Sequence, residues 1–142
     1  MLQNAADDPG ERSPEELRAR YEDALRETID AVGPSEVADR SGVPRETIDA
    51  LADGESPDVT LEEAAAILAA HPDNPDADAI AAEVRDDLMM GLSIAVLDVE
   101  AVESGINGKL EAKEIQQKIE GRFPMTLAEY ALVHQYVEER KP

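Results

Sequence analysis

Cysteine and tryptophan are absent from the 142 residues, and aromatic side chains are nearly so, with one Phe and three Tyr. Without cysteine there is no disulfide framework, no thiolate metal centre and no Cys nucleophile. Positive charge is also scarce: 13 Lys and Arg stand against 33 Asp and Glu, for a net charge of −20. A conventional basic nucleic-acid binder is therefore not the default reading. No long hydrophobic run occurs either. The most apolar stretch, Leu88 to Val99, falls well short of the ~20 residues that span a bilayer. No basic segment precedes an apolar one at the start, so neither a signal peptide nor a membrane partner is expected, and the expected location is cytoplasmic.

What is present points to helices. Leu, Ile, Val and Phe together number 31, just above the level at which so charged a chain is expected to stay disordered, and alanine adds 22. Alanine-rich, aromatic-poor composition suits closely packed helices and supplies few bulky sheet formers. The fold class expected is all-α. The acidity runs through the N-terminal three quarters of the chain. Many carboxylates, few lysines and small apolar residues resemble proteins of salt-accumulating halophilic archaea, in which dense carboxylates keep a surface hydrated when salt screens charge. An ordinary acidic protein with a basic partner has the same composition.

Residues 1–12 are polar with a Pro-Gly pair and read as a flexible leader. Ser13-Pro14-Glu15-Glu16 then opens a first helix, carrying Leu17, Tyr21, Leu25 and Ile29 at helical spacing. Gly33-Pro34 ends it. Ser35 is expected to cap a short second helix, Gly42 breaks it, and Pro44 begins a third that runs to about Gly54. Thr60 and Glu63 form a capping box for a fourth helix. The segment 72–78, with two prolines and three aspartates, is expected as a linker between a domain at 13–71 and a helical region at 79–142. One long helix is expected over about 76–104, then a sixth over about 110–121. A last helix opens on a second capping box, Thr126 with Glu129. Roughly seven helices result, four in the first part and three in the second.

Residues 34–53 fit a helix-turn-helix. Gly42 supplies the positive φ that the turn needs, Ala38 is small where the two helices cross, and Val37, Val43, Ile48 and Leu51 fall at positions that must be buried. With one helix before and one after, residues 15–70 resemble the phage-repressor type of DNA-binding domain. In that family the second helix of the motif enters the major groove and flanking caps hold phosphates. The resemblance implies that Pro44, Arg45, Glu46, Asp49 and Ala50 face the groove, with Arg45 on guanine and Glu46 on cytosine. It implies that Ser35, Arg40, Ser41 and Thr47 touch phosphates. The sequence departs from the family in charge: residues 13–71 hold five Arg and fifteen acids. Cation–phosphate pairing, the main source of non-specific DNA affinity, is accordingly weak or repulsive here. The same motif also serves as a packing unit or a protein-binding surface.

Every lysine lies in residues 109–142, where six bases balance six acids. Lys109, Lys113, Gln116 and Gln117, with Arg122 beyond them, are candidates for contact with a partner, a second copy or nucleic acid; a solvated face that complements the acidic half has the same pattern. Leu88, Gly91, Leu92, Ala95 and Val96 are candidates for a dimer or partner contact, because Gly91 and Ala95 permit close helix approach and their neighbours are apolar. A central core helix gives the same pattern. The stretches SPEELRARYEDAL, EEAAAILA, VRDDLMMGLSIAVLDVE and IQQKIEGRFPMTLAEY resemble a family of uncharacterised haloarchaeal proteins over most of residues 13–140, a likeness that carries no activity with it.

His71 and His134 are the only histidines. Neither sits in a metal-ligand spacing motif, and Asp73, Asp76 and Asp78 do not complete a calcium loop, so no metal and no cofactor are expected. There is no P-loop, no dinucleotide glycine motif and no nucleophile elbow. The expected function is non-enzymatic DNA binding by a regulator, with a homodimer or a protein partner expected; the alternative is a protein–protein adaptor that uses the C-terminal helices.

Overall fold

Three reciprocal caps set three helix starts in the computed structural model, which describes residues 1–142. The Glu16 amide donates to Ser13 Oγ at 3.1 Å and the Ser13 amide to Glu16 Oε1 at 3.2 Å, opening α1 (Pro14–Val32). Thr60 with Glu63 opens α4 (Leu61–Ala69), and Thr126 with Glu129 opens α8 (Leu127–Arg140), each through the same pair of bonds. Such a cap stabilises its helix by about 1 kcal/mol. Both threonine boxes are where the sequence places them. Their caps are also joined to each other: the Leu61 amide donates to the Met125 carbonyl and the Leu127 amide to the Val59 carbonyl, each at 2.8 Å. The starts of α4 and α8 are thus paired across the chain.

The remaining helices are α2 (Pro34–Ser41), α3 (Arg45–Ala52), α5 (Ala77–Ile94), α6 (Val99–Gly105) and α7 (Ala112–Ile119). The fold is all-α, as expected, with eight α-helices where the sequence reading has seven. The extra one comes from a break in the long helix expected over 76–104. Val96 takes a left-handed conformation at φ 54°. The Val96 amide then bonds the Ser93 carbonyl at 3.2 Å and the Leu97 amide bonds the Leu92 carbonyl at 2.9 Å. This is the Schellman arrangement, which glycine usually makes. Asp98 restarts the chain as the N-cap of α6, accepting from the Ala101 amide at 2.8 Å. The apolar stripe runs unbroken through a β-branched residue, so no glycine signal marks the stop.

Ser35 is not the cap of α2. Pro34 is already its first residue and Gly33, at φ 101°, precedes it without a side-chain cap. The turn between α2 and α3 is Gly42-Val43-Pro44, with Gly42 left-handed at φ 73°. Val37, Val43, Ile48 and Leu51 are all buried, and α1 packs on α2, α3 and α4.

Residues 1–12 depart from the flexible leader expected of them. They form two short 3-10 turns, Leu2–Asn4 and Pro9–Glu11. Leu2 is 1% exposed, and the second turn packs on α8, where Gln135 Nε2 donates to the Gly10 carbonyl at 3.1 Å. A single cluster of 30 buried apolar residues runs from Leu2 to Val137. α1 packs on α8 and α4 on α5, so helices on both sides of the 72–78 segment share one core. No helix is long and apolar enough to cross a membrane.

Candidate functional site

The outer face of α3 and its start carry most of the residues to which the resemblance assigns DNA contacts. Pro44, Arg45, Glu46 and Asp49 are exposed, and Thr47 and Ala50 are half-buried. Arg45 is held from two sides. Its Nε donates to Asp49 Oδ1 at 2.8 Å, one helical turn on, and its Nη1 donates to Ser35 Oγ at 2.8 Å, from the start of α2. Three residues assigned to the interface are therefore in one network, with Nη2 outside it. Arg40 serves its own chain: Nη1 donates to the Ala70 carbonyl at the end of α4 at 2.8 Å, and Nε pairs with Glu36 at 3.1 Å. Ser41 Oγ accepts from the Val43 amide at 3.1 Å and braces the turn. Both cations of this surface are thus ion-paired, and Glu36, Asp39, Glu46, Asp49 and Asp53 are exposed around them.

The second set of assigned residues divides between core and surface. Leu88 is 2% exposed and Gly91 is buried, and a Cβ on Gly91 would lie 2.8 Å from Val137 Cγ1. The small residue at 91 therefore lets α5 approach α8 within this chain, which removes Leu88 and Gly91 as contacts for a partner. Leu92 and Ala95 are half-buried. Met89, Met90, Ile94 and Val96 are exposed at the end of α5, Val96 at 89%. Lys109 lies before α7 rather than on it, while Lys113 is exposed on that helix. Gln117 is half-buried and Arg122, in the following turn, faces Glu120 at 3.6 Å. Lys118, between them, is withdrawn from any partner surface by its ion pair with Glu129.

A third arrangement has only a partial signal in the sequence. Tyr21 of α1 and Tyr130 and His134 of α8 are buried as a stack, with the Tyr130 and His134 rings 4.9 Å apart and 14° from parallel. Tyr21 Oη lies 2.6 Å from His134 Nδ1. On the other side of the ring, His134 Nε2 is 3.5 Å from Glu138 Oε1, yet it has no hydrogen-bond partner, and neither has the Tyr130 hydroxyl. Asp87 of α5 completes the group: one ligand atom each from Asp87, His134 and Glu138 lie within 4.8 Å of one another. Lys141 Nζ reaches Glu138 Oε1 at 2.8 Å. Burial holds the His134 imidazole below the ordinary histidine range, against the upward pull of Glu138 and Asp87. Burial likewise pushes the Tyr21 and Tyr130 hydroxyls up, and both carboxylates add to the shift. A neutral imidazole whose free nitrogen faces two carboxylates is equipped to hold a proton or a cation. Half of this was visible in the sequence, because His134 and Glu138 are four apart on one helix. Asp87 and Tyr21 come from remote segments and carry no local signal.

No curated protein and no solved structure matches this chain. One family model does, over residues 17–140, which include α2, α3 and the whole buried cluster. The chain therefore belongs to a family of unknown function (DUF5791).

Proposed function

We propose that this protein is a non-enzymatic DNA-binding regulator that reads its site with α3. The setting of Arg45 carries the reading. Its side chain is 52% exposed at the start of a helix whose inner face packs on α1 and α2. Asp49 and Ser35 steer the guanidinium, so its orientation does not have to be fixed on binding. An arginine bidentate to the O6/N7 edge of guanine contributes about 1–3 kcal/mol of discrimination. Glu46, exposed beside it, is placed to accept from cytosine. The left-handed Gly42 turn and the buried Val37, Ile48 and Leu51 support a helix-turn-helix of the phage-repressor type.

Charge sets the condition under which this works. The acids around Arg45 repel phosphate, so binding requires strong screening or cations taken up between carboxylate and phosphate. A salt-accumulating halophilic cell meets that condition, and the acidic composition of the whole chain supports such an origin. The test is selection of bound fragments from genomic DNA in ~2 M KCl, where charges are screened beyond a few ångströms. Wild type should enrich a shared site, and folded Arg45→Ala should not. A folded wild-type sample that enriches nothing overturns the reading.

A second reading, a protein–protein adaptor, is favoured by the exposed Met89, Met90, Ile94 and Val96 at the end of α5. Unbranched methionines fit varied apolar partners. Under this reading Ile94→Glu or reversal of charge at Lys113 or Arg122 abolishes partner or self-association, and Arg45→Ala leaves it intact. Sedimentation of wild type and variants separates the two.

A further inference from the structure

In the cluster between α5 and α8 one buried nitrogen faces a carboxylate at 3.5 Å without a hydrogen bond to it. His134 is 2% exposed, and its Nε2 has no hydrogen-bond partner. Asp87, half-buried opposite, makes no side-chain hydrogen bond and no ion pair. A buried polar group without a partner is destabilising. Such a group in a native fold calls for a ligand or a functional reason.

We propose that Asp87, His134 and Glu138 bind one divalent first-row transition ion, with His134 Nε2 as the nitrogen ligand and the two carboxylates as oxygen ligands. An imidazole with carboxylates suits zinc, manganese or iron, whereas calcium and magnesium prefer oxygen throughout. Ligand bonds of ~2.1 Å bring two ligands of one ion to within ~4.2 Å. The Nε2–Oε1 separation of 3.5 Å already meets this, and the mutual limit of 4.8 Å for the three residues requires only a small closure. Asp87 and Glu138 are half-buried, while His134 stacks on Tyr130. Three protein ligands leave coordination positions for water.

Tyr21 orients the ring. A metal on Nε2 places the imidazole proton on Nδ1, which then donates to Tyr21 Oη across 2.6 Å. An oxygen acceptor behind the ring is the usual support of a metal-bound histidine. Burial favours the neutral imidazole, the form that binds metal. Lys141 is the competitor: its ammonium holds Glu138 Oε1 at 2.8 Å, and the ion displaces it. The bound ion joins α5 to α8 beside the close approach at Gly91.

Surface carboxylates bind divalent ions weakly everywhere on so acidic a chain, so the test reads the histidines. With only His71 and His134 present, two imidazole signals appear in the NMR spectrum, and His71→Gln assigns them. The full chain is titrated with Zn²⁺ in molar KCl and excess Mg²⁺. The His134 signal should change and saturate at one equivalent while His71 stays in place. Asp87→Asn and Glu138→Gln should weaken binding at least tenfold, Tyr21→Phe by about 10- to 100-fold, and Lys141→Gln should strengthen it. A wild-type His134 signal that is unmoved while Zn²⁺ is taken up, or that moves no more than His71, overturns the proposal without recourse to any variant.

Discussion

Tyr21 and His134 lie 113 residues apart in the chain and share a 2.6 Å hydrogen bond in the core, tying the first α-helix to the last. Both side chains are buried. Tyr21→Phe keeps the ring and its packing on Tyr130, 5.1 Å away, but leaves His134 Nδ1 without a partner. The variant should lose about 1–3 kcal/mol of stability in urea unfolding. A midpoint equal to that of wild type would show that the hydrogen bond does not hold α1 to α8.

Val96 is the one β-branched residue held at positive φ, and it is 89% exposed. A side chain in that conformation costs ~1–2 kcal/mol, while glycine there adds some entropy to the unfolded chain. Val96→Gly should therefore raise stability by about 0.5–1 kcal/mol, read as a higher thermal midpoint. A lower midpoint would mean that the exposed valine is covered, and would point to a partner at the end of α5.

Gly10 lies against α8 so closely that an added Cβ would stand 2.8 Å from the Glu139 backbone nitrogen. Backbone cannot give way as a flexible side chain can. Gly10→Ala should detach the turn Pro9–Glu11 from α8. Limited proteolysis should then cut within the first twelve residues several times faster than in wild type, with the rest of the chain protected.

Glu129 provides a pH test. Burial pushes its carboxyl up, but the Lys118 ammonium and the hydrogen bonds with Thr126 outweigh this and hold it below its ordinary value of 4.5. The unfolded chain thus takes up the proton first as pH falls. The stabilisation is complete above pH 4.5 and is lost as pH drops through the folded-state value. Glutamine retains the capping geometry but not the charge. Glu129→Gln should be less stable than wild type near neutrality, and the two stabilities should converge below pH 4.5. A constant gap across that range would contradict the assignment.

Local chemistry made much of the fold readable. Thr60 with Glu63, Thr126 with Glu129 and Gly42 each act within a few residues, and each does in the structure what its spacing implies. The features without a local signal depend on distant partners. Nothing near residue 10 announces that α8 covers it, and the apolar pattern through Val96 hides a helix end that a glycine would have marked. Gly91 fits both a partner contact and a core helix in sequence; its neighbour is α8 of the same chain, as the core reading has it. At α3, the exposure of Arg45 and its four-residue spacing to Asp49 were readable, but the brace from Ser35 depends on how α2 and α3 cross. The buried cluster was half-visible in His134 and Glu138 and incomplete without Asp87 and Tyr21.

The proposed DNA readout by α3 carries a distinctive salt dependence. An ordinary basic binder releases cations from DNA and loses affinity steeply as salt rises. This protein places five exposed acids around two paired arginines. Its affinity for an enriched fragment, measured by fluorescence anisotropy from ~0.5 to ~3 M KCl, should rise with salt as cations are taken up and repulsion is screened. Arg45→Ala should lower the affinity at every salt concentration while the rise, which comes from the acids, persists. Affinity that falls with salt, or that is the same for wild type and Arg45→Ala throughout, would contradict the account.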